Sequence, residues 1–178
     1  MKSGVRALGV DDGPQKDSTL LVGVVMRPDR IEGVLSTSVE LDGNDATAAI
    51  LKMVAGRFHP QIKCIFLDGV AVAGFNLINY KKLSEKLSVP VIVCTSNRPH
   101  PEEFSKALER WPEKLRLWES IRTPAHRLGG VWYQFSGCTG TQAASLIRKF
   151  QVHSLVPEPL RVAHLIAAGI ELGVSRGL

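Results

Sequence analysis

The amino-acid sequence predicts an α/β protein in which helices flank a mixed, five-stranded central sheet. Short apolar runs bounded by turn residues are typical of buried strands. The first three of these runs follow one another through short turns, which favours an antiparallel meander. The next two are reached through segments with helical periodicity, which predicts that they run parallel to the first strand.

The antiparallel part comes first in the chain. Its three strands are predicted at residues 5–11, 18–26 and 31–41. Turn residues separate them, at 12–17 and at Pro28-Asp29.

The remaining elements alternate between helices and strands. Asn44 or Asp45 is predicted to cap a first helix that ends near Gly56, because these side chains accept hydrogen bonds from free amides of a first turn. The other predicted strands lie at 62–68 and 90–95, with a late one at 130–136. The other predicted helices lie at 76–87, 101–109, 113–122, 139–150 and 157–172.

This chain order is that of the ribonuclease-H-like architecture, in which the first strand lies centrally beside the fourth. Asp11 ends the first strand and Asp68 ends the fourth. Carboxylates at the carboxyl ends of neighbouring strands project into the ligand crevice of an α/β sheet. Together they are predicted to hold a divalent cation, as in metal-dependent phosphoryl-transfer enzymes. The alternative is that Asp11-Asp-Gly and Asp68-Gly are ordinary turns.

A two-metal site needs further carboxylates. Asp42 and Asp45, between the third strand and the first helix, are the candidates. The simpler alternative is that Asp45 is only a helix cap and that Asp42-Gly is only a turn.

Candidate substrate-binding residues follow Asp68. Gly69 begins a small-residue segment whose backbone amides suit a phosphate, and Gly74 permits close approach of the backbone to a ligand. Phe75 is predicted to stack on a base, with burial in the core as its alternative role.

The last predicted helix carries Arg161 and His164 on one face. A guanidinium suits a phosphate, and an imidazole suits a metal or a proton transfer. Arg98 is a further candidate phosphate contact. A structural role for His164 and simple solvation of surface cations are the alternatives.

Composition sets broad limits. The 178 residues suit one domain, predicted to span 1–178, and the net charge of +5 is compatible with a polyanionic partner. Cys64, Cys94 and Cys138 form no zinc pattern, which favours a reducing cytosol. Strand-like sequence begins almost at the N-terminus, so no signal peptide is expected. The longest apolar stretches are far below the roughly 18–20 residues needed to span a bilayer, so no membrane span is expected.

Four segments resemble endonuclease V and occur in its order: Gly9-Val-Asp11, Phe66-Leu-Asp-Gly69, Pro90-Val-Ile-Val93 and Pro157-Glu-Pro-Leu-Arg-Val-Ala-His164. The last is the most specific. Together with Asp42–Thr47 and Gly74–Asn76, they look closer still to a sister group, the archaeal proteins called endonuclease dU. The resemblance covers nearly the whole chain.

The resemblance implies a ribonuclease-H-like fold and hydrolysis, dependent on Mg²⁺ or Mn²⁺, of a phosphodiester beside a deaminated base. It also implies a nucleic-acid partner, with DNA favoured over RNA. By position, Asp11 and Asp68 match the metal-binding aspartates of endonuclease V, Asp45 its catalytic glutamate, and His164 its active-site histidine.

The chain also departs from endonuclease V. It has no Pro-Tyr-Ile-Pro wedge before Asp45, and Ala73-Gly-Phe75 replaces a His-Pro-Arg segment. The position of the lysine that follows the fifth strand in endonuclease V corresponds to a position near Ser96 in this chain, although Arg98 is close. The departures favour an altered substrate, such as uracil-containing DNA or RNA. They also leave two other functions open: a non-catalytic nucleic-acid-binding or regulatory protein on the same fold, and a small-molecule phosphatase or nucleotide hydrolase.

Overall fold

The computed structural model describes residues 4–14, 18–56 and 58–176. Within these ranges the strands are β1 (Arg6–Asp12), β2 (Ser18–Arg27), β3 (Arg30–Glu40), β4 (Ile62–Asp68), β5 (Ala71–Val72), β6 (Asn76–Leu77), β7 (Val91–Thr95), β8 (His126–Leu128) and β9 (Val131–Ser136). The helices are α1 (Ala46–Val54), α2 (Tyr80–Leu87), α3 (Pro101–Leu108), α4 (Pro112–Ile121), α5 (Gly140–Phe150) and α6 (Glu158–Leu172).

The central sheet has seven strands in the order β3-β2-β1-β4-β7-β9-β8. The antiparallel meander of β1 to β3 is confirmed, as is the parallel pairing of β1 with β4 and of β4 with β7. The predicted count of five strands is wrong. Strand β9 was predicted as an element, but it pairs with β7 in antiparallel register and brings β8 with it, so most neighbouring pairs are antiparallel.

Helix α2 begins later than predicted, at Tyr80 rather than at residue 76. The preceding residues form the small hairpin of β5 and β6, and Asn79 caps the helix by accepting a hydrogen bond from the amide of Lys82. The predicted turn at 12–17 lies partly outside the described residues, and Asp12 belongs to β1.

Both faces of the sheet are covered by helices. Leu8 and Ile65 pack on one face in a cluster that also contains buried residues of α1, α2, α3 and α4. Ala7 and Phe66 pack on the opposite face with residues of α5 and α6. Adjacent residues in β1 therefore belong to different clusters, as the two-residue period of a strand requires.

Gly9 allows helix α6 to approach the sheet closely. A Cβ atom at Gly9 would lie 2.2 Å from the carbonyl carbon of Pro159, in the first turn of α6. Any larger side chain would therefore push the helix outward. This contact brings the middle of α6 over the carboxyl end of β1, and so over Asp11.

No helix in the described ranges is both long enough and apolar enough to cross a membrane.

Candidate active site at the ends of strands β1 and β4

Asp11 and Asp68 lie side by side at the carboxyl end of the parallel pair β1 and β4. The register pairs Val10 with Leu67, and the two aspartates are the next residues along. Neighbouring strands are about 4.8 Å apart, and paired residues face the same side of a sheet. Both side chains therefore project toward α6.

The Asp11 carboxyl is in an unfavourable position for a negative charge. Its residue is only 3% exposed. Burial, and then the negative charge of Asp68, raise the pKa of Asp11 from 3.8 to about 8. Burial also raises the pKa of Asp68, while the positive charge of His164 acts in the opposite direction. A bound cation would relieve this concentration of negative charge.

His164 projects from α6 toward this pair. Its Nδ1 lies 3.1 Å from Oδ2 of Asp11, within hydrogen-bond distance. The side chain is 32% exposed, so one part of the imidazole contacts the carboxyl while another part remains open to solvent. The close approach of α6 at Gly9 makes this contact possible.

Asp12 is a third carboxylate at this end of the sheet, and the sequence interpretation treated it only as a turn residue. Its Oδ2 accepts a hydrogen bond of 2.7 Å from the amide of Ala73, which fixes the β5–β6 hairpin to β1. Burial raises its pKa, and the hydrogen bond from Ala73 lowers it. The sequence did contain a signal for Asp12 as a site residue, because Asp12 directly follows Asp11 at the end of a strand.

An open cleft of about 690 Å³ exposes these groups. Asp11, Asp12, Asp68 and His164 are among the residues that line it, together with Arg176, which follows the end of α6. We call it the acidic cleft. An ion or a phosphate can therefore reach the carboxylates from solvent.

Asp42 and Asp45 do not line the acidic cleft. Oδ1 of Asp42 accepts a 2.7 Å hydrogen bond from the amide of Phe75, and Oδ1 of Asp45 accepts a 2.6 Å hydrogen bond from Nδ2 of Asn76. These bonds connect the β3–α1 segment to the β5–β6 hairpin. Over residues 4–14, 18–56 and 58–176, no three His, Cys, Asp or Glu side chains form a group that could hold a metal ion.

Lys114 of α4 strengthens this connection and was not anticipated as a site residue. It is only 2% exposed. Its Nζ donates hydrogen bonds to the carbonyl oxygens of Asp42 at 2.9 Å and Phe75 at 2.9 Å, to Oδ1 of Asn44 at 3.0 Å, and to the carbonyl of Gly43. Four acceptors thus satisfy one buried ammonium group.

A second cavity, of about 420 Å³, begins at Gly69, one residue beyond Asp68. Aromatic rings form much of its wall. Phe75 and Phe104 lie 5.9 Å apart between ring centroids, and Phe104 and Trp118 lie 5.0 Å apart. We call it the aromatic cavity. Gly69 and Phe75 were predicted as substrate-binding residues, whereas the rings of Phe104 and Trp118 come from helices that the sequence did not connect to the site.

The other predicted substrate-binding residues lie elsewhere. Gly74 has a φ of +77°, and a Cβ there would lie 2.3 Å from Oδ1 of Asp42, so a glycine is required for the turn. Arg161 binds Glu158 within α6, at 2.5 Å, rather than a carboxylate of the acidic cleft. Arg98 lies exposed beyond β7, near the ring of Trp132.

The family model for endonuclease dU matches residues 3–171. The chain belongs to the endonuclease dU family. This confirms the family that the sequence motifs indicated. A UPF0215 protein of Methanothermobacter thermautotrophicus is 40% identical over 189 aligned positions, covering 99% of this chain and 93% of that protein.

Two solved structures are similar to this chain. A crystal structure of a protein of unknown function from Archaeoglobus fulgidus is similar with a TM-score of 0.88 and 34% identity, covering 93% of this chain and 98% of that one. Ciona intestinalis endonuclease V, in complex with a DNA containing an inosine followed by a ribo-adenosine, is similar with a TM-score of 0.63. Its identity is 14%, over 97% of this chain and 88% of that one, so this similarity concerns the fold.

Proposed function

We propose that this endonuclease dU family member is a metal-dependent endonuclease of ribonuclease-H-like architecture. It would hydrolyse a phosphodiester at or near a deaminated base, uracil or hypoxanthine, with DNA favoured over RNA. The observation that carries the proposal is the pair of strand-end carboxylates, Asp11 and Asp68, adjacent in register and open to a cleft. The family match and the likeness to endonuclease V in fold support the same class of reaction.

Mg²⁺ or Mn²⁺ fits this pair of carboxylates. Asp11 is buried beside a second carboxyl and its pKa is raised, which is the electrostatic situation that a divalent cation stabilises. Mg²⁺ is commonly held by one or two carboxylates, with water and substrate phosphates completing its coordination. Asp11 and Asp68 therefore suffice as protein ligands. A bound ion would supply Lewis-acid stabilisation of the phosphate charge and a more acidic water.

His164 is proposed to orient the Asp11 carboxyl and to move a proton at its solvent-facing nitrogen. Its Nδ1 is 3.1 Å from Asp11, and the side chain is partly exposed to the acidic cleft. Imidazole is the side chain most often used for general acid or base catalysis. Asp42, Asp45 and Lys114 are proposed to hold the Phe75 segment, because their hydrogen bonds join it to the β3–α1 connection.

The aromatic cavity is proposed to receive the modified base. An enzyme acting at a base in a duplex must first extrude it, and extrusion costs least for a damaged or mismatched base. The cavity begins at Gly69, adjacent to Asp68, and it offers the rings of Phe75 and Phe104 for stacking. A base held there would leave its own backbone near the carboxylates.

One observation favours the alternative of a non-catalytic nucleic-acid-binding protein on the same fold. The third carboxylate expected of a two-metal site, Asp42 or Asp45, is hydrogen-bonded away from the acidic cleft. The two proposals differ in whether the carboxylate pair binds an ion and supports cleavage.

Asp68→Asn separates the two proposals, with Asp29→Asn as the control, because Asp29 is exposed in the β2–β3 turn. Strands containing uracil, hypoxanthine or a ribonucleotide would be incubated with Mg²⁺, Mn²⁺ or EDTA. An endonuclease predicts metal-dependent cleavage by wild type and Asp29→Asn, and none by Asp68→Asn. Binding without cleavage of any strand, together with no heat of ion binding in calorimetry, would support the alternative.

A further inference from the structure

Two arginines lie close to a tryptophan at the edge of the sheet. The guanidinium carbon of Arg98, after β7, and that of Arg127, in β8, each lie 5.7 Å from the ring centroid of Trp132 in β9. Both arginines are exposed and the tryptophan is half-buried. We call these three residues the Arg–Trp–Arg cluster.

Within the described part of the chain, no carboxylate neutralises the positive charges of this cluster. Among the residues that the structure describes, neither Arg98 nor Arg127 forms an ion pair, and Nε of Arg127 donates to the carbonyl of Gly129. The net charge of the chain is +5, so this edge adds to a general attraction for polyanions. Two exposed cations beside a half-buried indole are the elements of a site for unpaired nucleotides.

The cluster lies two strands from β4, on the face of the sheet that carries the aromatic cavity. Trp132 pairs with Thr95 of β7, and the preceding residue of β7, Cys94, pairs with Asp68. Two strand spacings are about 10 Å, and because neighbouring residues of a strand face opposite sides, the Trp132 side chain lies on the other face of the sheet from that of Asp68. Thr95 and Gln134, its neighbours on the same face, line the aromatic cavity. The surface thus runs from the base cavity outward to β8.

We propose that Arg98, Trp132 and Arg127 bind the single-stranded segment that flanks the nucleotide in the aromatic cavity. The indole stacks on an unpaired base, and the two guanidinium groups contact the adjacent phosphates. An unpaired strand is specified because a base can stack on a side chain only when its face is free. The assignment rests on the proposed function for the position of the cavity, but the binding itself requires no cleavage.

The test is equilibrium binding of fluorescently labelled oligothymidine and oligouridine strands in EDTA, at several salt concentrations. Trp132→Ala removes the stacking surface, and Arg98→Ala with Arg127→Ala removes the two cations. The matched control is Arg148→Ala with Lys149→Ala, which removes the same charge from exposed positions of α5, on the opposite face of the sheet. Thermal melting verifies folding of each variant.

Trp132→Ala should weaken binding by about fivefold or more, the effect of losing one stacked base. The double arginine variant should lower the slope of log K against log salt by about 1.4, because each phosphate contact contributes about 0.7 on single strands. The α5 control should change the slope less. Oligothymidine and oligouridine should respond alike, since neither stacking nor phosphate contact distinguishes their sugars.

The possible failures are distinguishable. If wild type binds strands and the folded cluster variants bind with the same affinity and salt slope, the cluster is not the binding surface, whatever the cleavage assay shows. If the α5 control matches the arginine variant, only net charge matters and the assignment is also wrong. If wild type cleaves the strands that contain a modified base but the cluster variants keep its binding, the proposed function stands without this inference. If wild type binds neither oligothymidine nor oligouridine at low salt, this inference fails, and the cleavage assay with Mg²⁺ or Mn²⁺ still decides the proposed function.

Discussion

Replacing Asp11 with Asn should stabilise the metal-free protein at neutral pH. The wild-type carboxyl is buried beside Asp68, which raises its pKa from 3.8 to about 8. Between these two pH values the folded chain binds a proton that the unfolded chain releases. The contribution of Asp11 to stability is therefore fully present below about pH 4 and is lost as the pH rises toward about 8.

The expected magnitude follows from this difference. Each pH unit between the two pKa values lowers the free energy of unfolding by about 1.4 kcal/mol. At pH 7 the Asp11 carboxyl therefore destabilises the folded protein by at most about 4 kcal/mol. Asn removes this cost but weakens the hydrogen bond with His164, which contributes about 1.5–3 kcal/mol when charged. The expected net gain is about 1–3 kcal/mol. For a domain of this size that corresponds to a rise in Tm of about 2–12 °C.

Urea unfolding in EDTA at pH 5, 6, 7 and 8 would measure the effect. The stability advantage of Asp11→Asn over wild type should increase with pH, whereas Asp29→Asn in the exposed β2–β3 turn should track wild type. Adding Mg²⁺ or Mn²⁺ should then stabilise wild type and not Asp11→Asn, since only an ion bound to the folded state raises its stability. An Asn variant less stable than wild type at pH 8 without metal would refute the electrostatic reasoning.

Three further predictions concern the surroundings of the site. His164→Ala should reduce turnover at least about tenfold, as expected for a proton-transfer group, while Tm falls by no more than the lost hydrogen bond to Asp11 accounts for; a larger fall in Tm with normal turnover of the folded fraction would assign the residue to packing. Lys114→Met should cost about 2–4 kcal/mol by leaving four carbonyl or amide acceptors without their donor, and unchanged urea unfolding would contradict that role. Gly9→Ala should destabilise by about 1–3 kcal/mol or more and lower turnover, because the added methyl lies 2.2 Å from the carbonyl carbon of Pro159. Gly56→Ala, whose Cβ would meet no atom within 4 Å, is the control, and equal melting of the two would contradict the proposed helix approach.

The order of strands and helices was predictable because it depends on local pattern. Apolar runs predicted strands β1 to β4 and β7. Hydrophobic periodicity and capping residues predicted the helices. The strand β9 was also recognised, but its partner was not, since pairing with β7 joins segments about 40 residues apart and depends on tertiary packing. The short strand β8 contains exposed residues and carried no apolar signal.

The cap of helix α1 illustrates the same limit. The sequence indicated Asn44 or Asp45 as the N-cap residue; the helix begins after Asp45, yet the Asp45 side chain makes no capping hydrogen bond. Oδ1 of Asn76, 30 positions away in the chain, accepts the hydrogen bond from the amide of Ala46 instead. A side chain's partner is decided by folding, whereas its suitability for a helix end is a local property.

The sequence alone determined the family, through its motifs, and the adjacency of Asp11 and Asp68, because strand order follows from the chain order of the elements. Only the tertiary structure separated these two carboxylates from Asp42 and Asp45, which satisfy backbone and amide donors of the neighbouring hairpin. It also brought Asp12, His164 and the aromatic rings of α3 and α4 to the same edge of the sheet. Those side chains converge because whole helices pack on the sheet. The spacing of residues along the sequence does not specify the distances between side chains of separate elements.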